Sequence, residues 1–253
     1  MKYFDVNCSL GGWPFRSVPR HTAAQVRADL KKLGCSGALA VNNGGILYSD
    51  TREANRELAS WIAPYRDFFS AAATIDPGLP QAAEELMHFV REEDFRALRL
   101  LPSYHRYRAD DPAAVKLAQL AGKLGIPVLL PAEIVNFRQR HFLEPETPQP
   151  WDEALKLIRA VPETNFIRLD APLPAEAADL PNLYGEFNRG GGLYYGWLRQ
   201  AVADTKGAKL LLGTGAPLRS PQAALLKLHH LDAPPEVKVR ISSGNAGILN
   251  LVP

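Results

Sequence analysis

Residues 111–131 read DPAAVKLAQLAGKLGIPVLLP and contain one complete structural unit of the chain. Asp111 is a helix cap, Pro112 suits the first helical position, where a missing N–H costs nothing, and Gly125 is a stop, so the spacing predicts a helix over 112–124. A short apolar run over 126–130 follows at once and ends at Pro131, which is the pattern of a strand.

The same alternation extends outward from this unit to both ends of the sequence. Strands are expected over 3–7, 36–41, 68–75, 97–101, 126–130, 166–169, 182–187 and 209–213. Helices are expected over 22–33, 49–62, 80–91, 112–124, 151–160, 193–206, 221–230 and 235–249. Eight pairs in 253 residues predict an α/β fold, a single (β/α)8 TIM barrel spanning 1–253 as one domain. A doubly wound open sheet is the alternative, but it would carry a Gly-rich phosphate turn after the first strand. Ser9-Leu10-Gly11-Gly12-Trp13-Pro14 is not G-x-G-x-x-G.

Composition narrows the partners. The charge balance is +2, from 29 Lys and Arg against 27 Asp and Glu, with no block of like charge to hold a nucleic acid or an anionic membrane. The chain lacks an apolar run long enough to span a bilayer, and Asp5 interrupts the place of a signal peptide's apolar stretch, so a cytoplasmic protein is expected. Cys8 and Cys35 are read as buried thiols, too few and too far apart for a disulfide framework. The default assembly for such a barrel is a symmetric homodimer.

In a barrel the chemistry sits just past the strand ends. Period two places Tyr3, Asp5, Asn7 and Ser9 toward the axis, and Phe4, Val6 and Cys8 away from it. Arg99, with Tyr104 and His105 following, could grip a carboxylate or phosphate oxygen, or Arg99 could neutralise acids inside the barrel. Glu133, Asp170 and Glu186 approach the same mouth, with Arg168 on the face of Asp170. Carboxylates in unlike environments divide acid and base roles, although a structural ion-pair network has equal weight. Trp13, Phe15 and Arg16 form either an apolar wall with one donor over the opening or a packed lid. Asn42-Asn43-Gly44-Gly45 lines the pocket or simply turns the chain, and the glycines of 188–192 suit a hinge. Among the six histidines, His21, His105 and His141 fall in top-face loops, but no pair has the spacing that fixes metal ligands on one element.

Four segments resemble the amidohydrolase-related family of metal-dependent hydrolases. Asp5-Val6-Asn7-Cys8-Ser9 is similar to its first-strand D-x-H-x-H. Residues 125–131 are similar to its G-x-P-V-x-x-H, Gly213-Thr214-Gly215-Ala216-Pro217 to its G-T-D-x-P, and Gly244-Asn245-Ala246 to its G-N-A. The resemblance implies a TIM barrel that hydrolyses a C–N or C–O bond, or decarboxylates a small acid, with a bound metal. Asn7, Ser9, Pro131 and Gly215 stand where that family has ligands, and an amide or a hydroxyl is a poor zinc ligand. Only Asp170, where the family has another histidine, could still coordinate.

The expected protein therefore acts on a small polar or carboxylated substrate in a pocket without the usual metal ligands. Asp170 and Glu133 are the catalytic candidates, and Asn7, Ser9, Arg16, Arg99, His105 and Glu186 are the substrate-binding ones. No cofactor is assigned, and a divalent metal such as zinc held by other residues is the open alternative. A non-catalytic protein that binds a sugar or organic acid on the same barrel is the competing class.

Overall fold

In a computed structural model of the chain, described for residues 1–188 and 196–253, eight parallel strands run in sequential order as a single sheet. They are β1 (Tyr3–Leu10), β2 (Cys35–Asn42), β3 (Phe69–Thr74), β4 (Ala97–Arg99), β5 (Val128–Pro131), β6 (Phe166–Leu169), β7 (Leu183–Glu186) and β8 (Leu210–Leu211). The Val6 amide donates to the Leu212 carbonyl at 2.9 Å and the Gly215 amide to the Asn7 carbonyl at 2.8 Å, which brings β8 back to β1. The fold is a TIM barrel.

The wall helices are α1 (Ala23–Lys32), α2 (Thr51–Ile62), α3 (Ala82–Arg91), α5 (Pro112–Lys123), α6 (Trp151–Ala160), α7 (Gly196–Thr205) and α8 (Pro221–His230). Their ends follow local chemistry. Thr22 and Gln25 form a reciprocal capping box on α1, Asp50 caps α2, and Pro112 opens α5. β4 is shorter than expected because Pro102 opens a one-turn helix, α4 (Pro102–His105). The closing helix expected over 235–249 is interrupted: α9 (Pro235–Val239) passes through a π-turn at Arg240–Gly244 into α10 (Asn245–Ile248). The expected glycine hinge and the start of the seventh helix fall on 189–195, outside the described residues.

Two apolar layers result from strand alternation. Ala38, Ala40, Ala71, Val128, Leu130 and Leu212 pack outward against helix residues such as Leu58, Leu86 and Leu117. Phe4, Val6, Leu39, Leu129, Ile167 and Leu211 fill the interior, with Leu249 and Leu251 packed against the same cluster. Cys8 and Cys35 are buried free thiols, and burial pushes the Cys35 thiol up to about 12.

The first strand departs from strict period two. Its pairing with β2 shifts register between Asp5 and Cys8, so two successive residues turn the same way. Phe4 and Val6, expected away from the axis, lie in the interior cluster, whereas Tyr3 packs on the outer one. Asp5 is buried and accepts from the amides of Asn7 (3.0 Å) and Thr214 (2.8 Å) and from the Thr214 hydroxyl, so it clasps β1 to the end of β8.

Candidate active site

Three strand ends and one loop converge at the mouth. Asp170 follows β6 with φ +60°, a left-handed conformation that aspartate tolerates better than most residues. Ile167 and Leu169 point inward, so strict alternation would send residue 170 outward. The Asp170 carboxylate instead receives the Asn7 side-chain amide at 3.1 Å and the Arg219 guanidinium, Nη1 to Oδ1. Arg219 also donates through Nη2 to the Ile134 carbonyl at 2.7 Å and to the Glu133 carbonyl at 3.4 Å.

Glu186, the last residue of β7, is fully buried beside this pair. Its Oε1 accepts from the Asp170 amide (2.7 Å) and the Asn7 side chain (3.4 Å), and its Oε2 from the Asn188 amide (2.7 Å). Burial, and secondarily the neighbouring Asp170 charge, push the Glu186 carboxyl up to about 8. Both effects favour the protonated carboxyl, while the amides of Asp170 and Asn188 act the other way. Gly213 makes this possible, because a Cβ there would overlap the Glu186 carboxyl.

The opposite wall is built on β3 and β4. Arg99 pairs in register with Thr74 and Leu129 and is 4% exposed. Its Nη1 is buried without a hydrogen-bond partner, as is the hydroxyl of Thr74. Burial lowers the guanidinium to about 10, which leaves it cationic at neutral pH. His105 is within electrostatic reach, and its Nε2 lies 2.9 Å from the Gly45 carbonyl. That contact requires a proton on Nε2, and burial lowers the imidazole's pKa, so the neutral ring leaves Nδ1 as a bare acceptor.

The remaining expected residues are placed as follows. Ser9 is buried and donates to the Ala216 carbonyl at 3.4 Å, tying β1 to the segment after β8. Arg16 bonds Gln139 Oε1 at 2.8 Å and the Leu218 carbonyl at 3.2 Å, at the rim. Glu133 lines a cavity of about 270 Å³ with Tyr104, Ile134, Arg140 and Glu144, and its backbone carbonyl accepts from the Arg219 that pairs with Asp170. Arg168, expected on the face of Asp170, points outward instead. It lies 4.7 Å from the Trp151 ring, bonds Gln149 at 3.3 Å, and is lowered to about 10 by burial alone. Sequence reasoning missed Arg219; its only signal was its place in the loop that follows the last strand.

A divalent metal has little to bind here. Asp170 Oδ1 is engaged by Arg219 and Asn7, both Glu186 oxygens and both Asp5 oxygens accept N–H or O–H groups, and Pro131 and Gly215 bring no donor. Gly215 has φ +70°, and a Cβ there would overlap Asn188 and press on Arg219, so that space is filled. Among the described residues, no three His, Cys, Asp or Glu side chains are grouped to hold a metal ion. These residues do not fit the group.

Comparison with known proteins places the chain in context. The profile of the family described as Amidohydrolase matches residues 14–247. No curated protein matches the sequence. Among solved structures, the 2,6-dihydroxybenzoate decarboxylase of Rhizobium aligns with a TM-score of 0.75 at 18% identity, over 98% of this chain and 97% of that one. The dihydroxybenzoic acid decarboxylase of Polaromonas sp. JS666, with bound manganese and the inhibitor 2-nitroresorcinol, aligns at 0.77 and 15%, over 98% and 96%. The 5-carboxyvanillate decarboxylase of Sphingomonas paucimobilis aligns at 0.76 and 13%, over 99% of both. At these identities the likeness shows the fold.

Proposed function

The chain belongs to the Amidohydrolase family, and on that premise we propose that it hydrolyses a C–O or C–N bond of a small carboxylic acid without a divalent metal. The observation that carries this reading is Arg99, a buried guanidinium whose Nη1 has no partner. A buried guanidinium nitrogen left without a hydrogen bond costs about 1–3 kcal/mol, which a substrate carboxylate would offset. Arg219 adds a second guanidinium, paired with Asp170. Two guanidinium groups near the mouth favour an anion there.

The chemistry follows from the two carboxyl groups. With the substrate carboxylate on Arg99, Asp170 takes a proton from the attacking water while Glu186 releases its own to the departing oxygen or nitrogen. Asn7, which bridges both carboxyls, orients them, and Arg219 stabilises Asp170.

Decarboxylation is the second reading, favoured by the named activities of the solved relatives. The Glu186 proton would then go to the carbon that loses CO2. A guanidinium that neutralises the carboxylate opposes this step, because it holds the charged acid more tightly than the departing neutral product. A panel of lactones, amides and aromatic carboxylic acids tests the choice, with Asp170→Asn as control. Hydrolysis abolished by that change supports the reading; CO2 release without hydrolysis favours the second. Ligand binding with no turnover leaves a non-catalytic binding protein.

A further inference from the structure

A second cavity, of about 620 Å³, lies outside the mouth between the loops that follow β1 and β2 and the helices α1 and α2. Arg99, Asp170, Glu186 and Arg219 do not line it, so its chemistry is independent of the proposed reaction.

Its charged group is Glu57, on α2. The Glu57 carboxylate accepts from the Asn42 side-chain amide at 2.9 Å and from the Tyr48 hydroxyl at 3.1 and 3.3 Å. Among the described residues no Lys, Arg or His pairs with it. Asn42 is 2% exposed and is held in turn by the Ala54 carbonyl (2.9 Å) and the Gly44 amide (2.7 Å), so the carboxylate rests on a fixed support. The aromatic side chains of Tyr48, Trp61 and Tyr65 line the same space.

His21, whose Nδ1 lies 2.6 Å from the Val18 carbonyl, borders the same space. A carboxylate without a counter-charge and three π-systems match a ligand that brings both N–H donors and positive charge. A cation would complement Glu57, to which Asn42 and Tyr48 bring hydrogen bonds and no charge.

We propose that this recess binds a small organic cation, a primary ammonium carried on an aryl or alkyl body, with its nitrogen at Glu57 and its apolar part against Trp61 and the two tyrosines. Titration of the intact protein with 2-phenylethylammonium chloride, followed by tryptophan fluorescence and by calorimetry, tests it. 2-Phenylethanol and phenylacetate serve as neutral and anionic counterparts, and ammonium chloride as the salt control. Saturable binding of the cation, at least about 10-fold tighter than of 2-phenylethanol, is expected. Glu57→Gln should weaken it by a similar factor, and Trp61→Phe should remove the fluorescence response while calorimetric binding persists. No saturation up to about 50 mM, equal binding of the alcohol, or undiminished affinity in a folded Glu57→Gln protein would overturn the proposal. The comparison of the three ligands on the unaltered chain decides the matter even if a variant does not fold.

Discussion

Arg219, from the loop after β8, donates its guanidinium to the carboxylate of Asp170, at the end of β6. The pair crosses the barrel mouth with side chains 21% and 6% exposed, so solvent screens it only in part. A positive group thus sits on the acid that could still have met a metal. It belongs to the polypeptide, and it is anchored a second time on the Ile134 carbonyl.

Removing one partner of this pair strands the other. Arg219→Met should destabilise the protein by about 3 kcal/mol, measured by urea denaturation, because Asp170 is then left with Asn7 alone. The double change with Asp170→Asn should cost less than the sum of the single changes by about 1–3 kcal/mol. Strict additivity would mean that the contact contributes nothing.

Arg99 is the opposite case. Arg99→Met removes a buried charge with an unpartnered nitrogen, so stability should stay level or rise by about 1 kcal/mol while affinity for small aromatic carboxylates falls at least about 10-fold. Thermal melts with and without benzoate separate the two effects. A protein that loses stability and keeps its affinity would assign Arg99 to the fold.

Glu186 makes stability depend on pH. Its carboxyl lies at about 8 in the folded chain against 4.5 for the ordinary group, so the folded state binds the proton more tightly. Stability from this source is complete below about pH 4.5 and is lost as pH rises toward 8. The denaturation midpoint should decline across that window, and the decline should shrink in Glu186→Gln. Parallel profiles for the two proteins would remove Glu186 from the account.

Gly215 marks the limit of simple restoration. Gly215→Asp puts back the acid of the family's G-T-D-x-P, but at φ +70° and in space held by Asn188 and Arg219. A loss of about 2 kcal/mol or more is expected, with no gain in zinc affinity by calorimetry. Tight zinc binding in this variant would show that Arg219 yields to a metal.

The barrel was legible because its signals are local and repeated. Caps such as Thr22 and Asp50, prolines at helix starts and apolar runs between them mark each unit without reference to the rest. The geometry of the candidate site was less legible than the barrel. Asn7, Asp170, Glu186 and Arg99 reach the mouth, yet Asp170 does so through a left-handed turn and Asn7 through a register shift in β1, neither of which period two can express. The same parity misplaced Arg168, whose true partner is the Trp151 ring. Arg219 comes from a loop, where spacing carries no directional information, and its contact with Asp170 spans distant parts of the chain that only the closed barrel brings together.

Metal content is the most direct test of the central claim that the family's metal-binding place is held by Arg219 on Asp170. The purified protein, dialysed against manganese or zinc and then against metal-free buffer, should retain far less than one equivalent by elemental analysis, with the same melting temperature before and after chelation. Retention of one equivalent that is lost in Asp170→Asn would contradict it.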